Sequence, residues 1–368
     1  MHWSGDDHRF MGIALQLAKK GQYTARPNPM VGCVLVNNGE IIGKGWHQKF
    51  GENHAEINAL NDAKKHAPHK IKGATCYVSL EPCAHTGKTK PCASALVKSG
   101  VIKVIAAMQD PNPKVLGNGF KILNQAGIET HCGLLKAQAE KLLRGFISRN
   151  LKCKPWVTVK LAMSLDGRTA LANGASKWIT GSAAREDVQK IRARQDGIIT
   201  GIGTVIADDP SLTVRSEEKW FSSLTRFEQP TRIILDRDGK SRLDNKIFNQ
   251  DARVWWVKNS VKDKLISIQK HVEIVNSSSI EHLLNYCATN EMNHVLVEAG
   301  HTLAASFLRA NLVNEIVIYM APKLMGNNAM GLFDLNVLQM DDCPTLQLQN
   351  IRQFDDDIRL IYHPTMAQ

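Results

Sequence analysis

His54-Ala55-Glu56 stands upstream of Pro82-Cys83 and of a second thiol, Cys92. One imidazole and two thiolates make three ligands, the number a catalytic zinc takes when its fourth position stays open. Such a zinc lowers the pKa of a bound water to about 7 and so provides a nucleophile stronger than neutral water. Hydrolytic removal of an amino group from a heteroaromatic ring needs that nucleophile and a group that ferries protons. Glu56, two residues after His54, suits the ferrying role, since it can take a proton from the water and deliver protons to the ring nitrogen and the departing amine. Zinc deaminases in general carry H-x-E followed by P-C-x-x-C. Here the first element is intact, whereas eight residues rather than two separate Cys83 from Cys92. H-x-E alone is a weak signal, and its combination with Pro-Cys and a further cysteine makes it a strong one. A closed structural zinc site would need a fourth ligand, for which His85 is the nearby candidate.

The elements around these residues read as alternating helix and strand. Phe10, Ile13, Ala14, Leu17 and Ala18 recur at helical spacing and Gly21 ends the run. Strand-like runs at 31–36 and 41–46 flank the turn Asn37-Asn38-Gly39. Helices are expected at 55–65 and 93–98 and up to Gly127, with strands at 74–80 and 101–107. A helix over 136–150, with Leu142, Leu143 and Phe146 on one side, runs into Lys152-Cys153-Lys154-Pro155, a natural boundary. The expected domains are therefore 1–150 and 151–368, two different α/β layers with helices packed on a sheet. In the second, strands are expected at 156–162, 197–200, 232–235, 254–257, 294–298 and 315–320. A helix from Ser182 has Glu186 and Asp187 in its early turns and Arg192 and Arg194 at its end, as the helix dipole favours. Another covers 302–309, so backbone N–H groups over Gly300, His301, Thr302, Leu303, Ala304, Ala305 and Ser306 can face a phosphate.

Composition sets the frame for both halves. The chain has 368 residues, 43% of them hydrophobic and 22% charged, which suits two globular domains. A formal charge of +11 points to an anionic partner. The basic residues are scattered, without an Arg/Lys tract or an aromatic-interleaved stripe, so a phosphorylated small molecule is expected rather than nucleic acid. The most apolar stretches are strand-sized, which argues against a membrane span, and Asp6 and Asp7 stand where a signal peptide would be basic. The expected location is the cytoplasm, with homo-oligomerisation left open. Cys33, Cys76, Cys132, Cys153, Cys287 and Cys343 fall in or near apolar segments and are expected to be buried, reduced structural thiols.

The long cysteine loop carries a further signal. Leu80-Glu81-Pro82-Cys83-Ala84-His85-Thr86-Gly87-Lys88-Thr89-Lys90-Pro91-Cys92 closely resembles the zinc loop of the bifunctional riboflavin biosynthesis deaminase–reductases. Arg26-Pro27-Asn28-Pro29-Met30-Val31-Gly32 and Gly45-Trp46-His47 resemble that family's substrate-contacting segments. Asp110-Pro111-Asn112-Pro113 and Gly117-Asn118-Gly119 match further. The similarity continues through Lys160-Leu161-Ala162-Met163-Ser164-Leu165-Asp166-Gly167-Arg168, Ser176-Lys177-Trp178-Ile179-Thr180, Gly203-Thr204-Val205, Ala207-Asp208-Asp209-Pro210 and Val297-Glu298-Ala299-Gly300. Thr86, Lys90 and His301 are minor departures, and none removes a metal ligand or the proton shuttle.

That resemblance implies a cytidine-deaminase-like fold followed by a dihydrofolate-reductase-like one, with one zinc and NADPH as cofactors. The implied chemistry is hydrolytic loss of the 2-amino group of 2,5-diamino-6-(5-phosphoribosylamino)pyrimidin-4-one. NADPH reduction of the ribosyl side chain to ribityl follows, with the phosphate kept. It also implies that Ala162, Trp178, Thr204 and Asp208 meet the dinucleotide together with the stretch after Glu298, with Arg237 a further candidate. Ser176, Arg192, Leu212, Arg215 and Glu298 are implied for the phosphorylated pyrimidine, the arginines and the serine as a phosphate clamp. Lys160 and Asp166 are candidates for proton delivery in the reduction, although no spacing demands either. A nucleic-acid base deaminase fused to a dinucleotide-binding sensor is the alternative reading, disfavoured by the long cysteine spacing and by the phosphate-site features of the second half.

Overall fold

The computed structural model describes residues 2–84, 91–113, 115–224, 227–249, 251–259 and 269–365. The chain forms two compact units, Met1–Cys153 and Lys154–Gln368. Among the described residues no helix is long and apolar enough to cross a membrane.

The first unit is built on strands β1 (Gly32–Asn37), β2 (Glu40–Trp46), β3 (Thr75–Val78), β4 (Lys103–Ala106) and β5 (Glu129–Cys132), in the sheet order β2-β1-β3-β4-β5. β1 is antiparallel to both neighbours, and β3, β4 and β5 are parallel. Helices α1 (Gly5–Lys19), α2 (Ala55–His66), α3 (Cys92–Ser99), α4 (Asn118–Gln125), α5 (Lys136–Leu142) and α6 (Arg144–Lys152) cover the sheet. Alternate residues of β1 feed two cores. Cys33 and Leu35 pack with Ala59 of α2, Leu96 of α3 and Leu123 of α4. Val34 and Val36 pack with Phe10 and Met11 of α1 and Phe146 of α6. Burial on both faces is why β1 reads as an unbroken apolar run. Gly45 lets α2 approach closely, since a Cβ there would lie 2.3 Å from the carbonyl oxygen of Ala55. That contact seats the start of α2, and with it His54 and Glu56, directly on the sheet.

The second unit contains β6 (Trp156–Ser164), β7 (Arg168–Ala170), α7 (Ser182–Ala193), β8 (Gly197–Gly201), α8 (Ile202–Asp208), α9 (Lys219–Ser222), β9 (Thr231–Leu235), β10 (Val254–Lys258), β11 (Val272–Asn276), α10 (Ile280–Thr289), β12 (His294–Glu298), α11 (His301–Arg309), β13 (Glu315–Ala321), β14 (Met330–Gly331), β15 (Leu346–Phe354) and β16 (Asp357–Pro364). The main sheet runs β11-β10-β9-β8-β12-β6-β13-β16-β15, parallel from β11 to β13 and closed by the antiparallel pair β16 and β15. Two apolar layers fill it, one around Trp255, Phe307 and Leu283, the other around Ile234, Phe248 and Tyr319. Strand-to-helix turns therefore gather at the carboxyl ends of the parallel strands, where α/β sheets bind ligands.

Local details differ from the sequence expectation. The helix expected over 136–150 is two helices, broken at Leu143, which leaves the helical region at φ −101° and ψ 13°. Cys33, Cys76 and Cys287 are buried as expected, but Cys132 and Cys153 are exposed and Cys343 is half-buried. Cys132 ends the edge strand β5, and Cys153 caps α6 in the left-handed region, so neither can turn into a core.

Candidate active sites

In the first unit His54 is the N-cap of α2 and Glu56 stands in its first turn. Cys92 opens α3 behind Pro91. The Cys92 amide donates to Cys83 Sγ at 3.3 Å and the Ala93 amide to the Cys83 carbonyl at 3.2 Å, so the amino end of α3 faces the Cys83 sulfur. The donor atoms of His54, Cys83 and Cys92 all lie within 4.8 Å of one another, the sulfurs of Cys83 and Cys92 at 3.5 and 3.3 Å from His54 Nδ1. A tetrahedral zinc with the usual N and S bond lengths holds such atoms about 3.5 Å apart, so these three residues fit the ion. Hydrogen bonds from Cys92 and His54 pull the Cys83 thiol well below its ordinary pKa, toward the thiolate that zinc requires. His85 lies outside the described residues.

Glu56 is 3% exposed. Burial, reinforced by the negative charge of Cys83, pushes its carboxyl up to about 7, the range in which a group both accepts and returns protons near neutrality. His47 packs edge-on against His54 with ring centroids 5.3 Å apart. Burial pulls the His47 ring down to about 4. The neutral ring, with Nδ1–H donated to the Asn53 carbonyl at 3.2 Å, can accept from Asn28 Nδ2 at Nε2, 3.1 Å away. Asn28 and His47 both belong to the segments singled out by resemblance.

Glu81 had no role legible in the sequence. Its buried carboxylate accepts backbone amides of Asp110 at 3.2 Å, Gly117 at 3.0 Å and Gly119 at 2.9 Å. The loop is drawn so close that a Cβ on Gly119 would lie 2.0 Å from the Pro82 carbonyl oxygen. Burial, with help from the charges of Glu81 and Cys83, lifts the Asp110 carboxyl to about 7. A carboxylate placed directly before the Pro-Cys ligand, with a Gly-x-Gly segment some way downstream, was the available signal; its partner could not be told from spacing.

In the second unit a cleft of about 1450 Å³ opens at the carboxyl ends of β6, β8, β12 and β9 to β11. Ala162, Ser176, Trp178, Arg192, Thr204, Asp208, Leu212, Arg215, Arg237, Glu298, Gly300, His301, Thr302, Leu303 and Ser306 all line it. Ala304 and Ala305 do not: both side chains are fully buried, and the Ala304 amide is bonded to the Gly300 carbonyl at 3.2 Å. The Ala304 amide is thus engaged inside α11, and the amides with no acceptor within the helix are those of its first turn. Gly300 is its N-cap, and a Cβ there would enter open space.

Arg192 and Glu298 form a buried fork, Nε to Oε1 at 2.5 Å and Nη2 to Oε2 at 2.9 Å, and Arg192 Nη1 donates to the Thr213 carbonyl at 3.2 Å. Burial pushes the Glu298 carboxyl up, but the charges of Arg192 and Lys160 outweigh it and hold the group below its ordinary value. The clamp expected from two arginines thus has one neutralised member, Arg192, and one unpaired member, Arg215. Asp166 is corrected as well. Its carboxylate accepts from Ser164 Oγ and from the amides of Met325 and Gly326, and these bonds, the hydroxyl's foremost, hold it at about 2. It ties down a loop and carries no proton to deliver. An open cleft with a free helix amino end and unpaired arginines has the donor set a dinucleotide and a sugar phosphate require.

Residues 4–108 match the cytidine and deoxycytidylate deaminase zinc-binding region, and residues 155–360 match the RibD C-terminal domain. The chain is 48% identical over 373 residues to the riboflavin biosynthesis protein RibD of Haemophilus influenzae, covering 99% of both. The solved structure of Acinetobacter baumannii RibD, form 1, superposes with a TM-score of 0.92 at 43% identity, covering 98% of this chain and 99% of that one. A Thermotoga maritima diaminohydroxyphosphoribosylaminopyrimidine deaminase/5-amino-6-(5-phosphoribosylamino)uracil reductase does so with a TM-score of 0.88 at 34% identity, covering 98% and 99%. The chain therefore belongs to the RibD family and is a bifunctional riboflavin-biosynthesis enzyme, a zinc-dependent deaminase of cytidine-deaminase-like fold joined to an NADPH-dependent reductase of dihydrofolate-reductase-like fold.

Proposed function

We propose a division of labour in which residues 1–150 deaminate the diaminopyrimidine phosphate and residues 151–368 reduce its ribosyl chain. The observation that carries the first half is the His54, Cys83 and Cys92 triangle beside a buried Glu56. His54, Cys83 and Cys92 hold zinc, which when bound supplies Lewis acidity and lowers the pKa of water. Glu56 takes a proton from the attacking water and returns protons to the ring nitrogen and the amine. One water is consumed, the ring carbon exchanges its amino group for oxygen, and ammonia leaves. The neutral His47 and Asn28 orient the pyrimidine, and Glu81 holds the Asp110–Gly119 loop against the ligand loop.

In the second half the amides of His301, Thr302 and Leu303 take the dinucleotide pyrophosphate, with Ala162, Trp178, Thr204, Asp208 and Arg237 along its length. NADPH supplies a hydride when bound. Arg215 and Ser176 grip the substrate phosphate, while Glu298, held by Arg192 and with Lys160 Nζ 4.0 Å from Oε2, faces the sugar hydroxyls. The partner is a phosphorylated pyrimidine rather than nucleic acid or membrane. Eight free cysteines and NADPH chemistry fit a reducing cytoplasm.

The test is a comparison of Cys83→Ser with the unaltered protein. The variant should lose zinc and deamination but still oxidise NADPH when given pre-deaminated substrate. Full zinc occupancy with normal deamination would overturn the ligand assignment.

A further inference from the structure

Arg215 lines the reductase cleft at the end of a short irregular segment whose main chain is held by side chains from elsewhere. Leu212 turns the chain in the left-handed region at φ 49° and buries its side chain in the core layer with Ile191, Ile234 and Phe248. Thr213 and Val214 follow, both buried, and Arg215 emerges exposed. Buried amides and carbonyls need partners, yet 212–215 belongs to no helix or strand. Among the described residues, three side chains distant in sequence bond its main chain. Arg192 Nη1 donates to the Thr213 carbonyl at 3.2 Å. Gln229, two residues before β9, accepts the Val214 amide at Oε1, 2.8 Å away, and donates Nε2 to the Val214 carbonyl at 2.9 Å. Gln189 of α7 accepts the Arg215 amide at Oε1, 2.9 Å away.

Gln229 treats Val214 as a neighbouring strand would, since it exchanges both bonds with one residue as a hydrogen-bonded pair of an antiparallel ladder does. Gln189 stands three residues before Arg192 on α7, and Arg192 is fixed by its fork with Glu298. The helix is itself docked on the sheet. Asp187 accepts Tyr319 Oη of β13 at 2.5 Å and Arg359 Nη1 of β16 at 2.6 Å, and the amide of the N-cap Gly181 donates to Asp357 Oδ2 at 2.7 Å. Beyond Arg215 the helix holds the chain again, where Glu186 accepts Ser216 Oγ at 2.6 Å and Trp220 Nε1 at 2.7 Å. The main chain of Arg215 is thus fixed on both sides, while its guanidinium has no bond or ion pair among the described residues. Fixing the backbone beforehand lowers the ordering cost that a ligand meets on binding.

We propose that Gln189 and Gln229 are positioning residues for the substrate phosphate in the reduction, acting through the main chain of Val214 and Arg215 to aim the Arg215 guanidinium into the cleft. This rests on the reading of Arg215 as the residue that grips that phosphate. Both glutamines direct their side-chain oxygens to this segment. Their loss therefore loosens Arg215 and leaves the sheet and the Arg192–Glu298 fork in place.

NADPH oxidation by the full-length protein with pre-deaminated, phosphorylated substrate tests this through a double-mutant cycle. Gln189→Met and Gln229→Met keep the side-chain volume and remove the bonds. Each should raise KM about three- to tenfold, the worth of about one neutral hydrogen bond, with Gln229→Met the larger because it loses two. Neither should change kcat or the NADPH affinity read by fluorescence titration. In an Arg215→Ala background neither should raise KM further, because the side chain they aim is gone. A role in stability alone would instead lower kcat or NADPH binding and would add in full to Arg215→Ala. An unchanged KM, full additivity with Arg215→Ala, or a loss of NADPH binding overturns the inference for the glutamine concerned. If Arg215→Ala by itself leaves KM unchanged, the reading of Arg215 falls, so the two failures are distinguishable.

Discussion

Arg192 and Glu298, 106 residues apart, close a two-pronged fork in the reductase cleft with side chains only 12% and 9% exposed. Removing one member of a buried pair leaves an uncompensated charge, which costs about 3–5 kcal/mol. Arg192→Ala and Glu298→Ala should each lower the denaturation midpoint of the second unit strongly. Replacing both with apolar residues of similar volume should recover much of that stability without restoring reduction. Equal stability of the single variants and the unaltered protein in urea melts would show that the fork contributes little. Acid should mimic the loss: Glu298 has a lowered pKa, so its contribution is present above the ordinary glutamate value and fades as pH falls through the folded one.

Glu56 is assigned to protons and not to the metal. Glu56→Gln should therefore retain zinc while deamination falls by about 10²–10⁴-fold, the range of general acid–base catalysis. Zinc content and ammonia release measured on the same preparation decide it; near-normal turnover would be incompatible with the mechanism.

Arg215 is free to meet an anion, whereas Gly300 opens the helix that cradles another. Arg215→Ala should weaken pyrimidine phosphate about ten- to a hundredfold and leave NADPH binding nearly unchanged. Because Gly300 lines the cleft and a Cβ there would meet nothing within 4 Å, Gly300→Leu should do the reverse by adding bulk at the dinucleotide's helix. The opposite pattern in paired titrations would mean the two sites have been interchanged.

Glu81 joins three loop amides to the residue before the Pro-Cys ligand. Glu81→Ala leaves the buried Asp110 and Gly119 amides without acceptors, at about 1–3 kcal/mol each, and frees the half-buried Gly117 amide. Amide exchange at Gly117 and Gly119 should accelerate markedly, and deamination should fall with them. Unaltered protection at both glycines would show that the loop is held by other contacts.

Much of the chemistry was already written in the sequence. The zinc set of His54, Cys83 and Cys92 could be read from residue type because zinc accepts few donors, and two of these ligands sit at the starts of helices that their own flanking residues define. The alternation of strand and helix was legible for the same reason, since periodicity is a local property. What only the tertiary structure decided is who pairs with whom. Arg192 as a partner of Glu298, Glu81 as the acceptor for Gly117 and Gly119, and Asp166 as a loop tie all depend on contacts between distant segments. Where the first turn of α11 ends, and so which amides the helix itself consumes, is likewise set by the folded chain: the Ala304 amide is bonded to the Gly300 carbonyl. The sequence supplies the charges, whereas burial and pairing determine which of them remain open to a ligand.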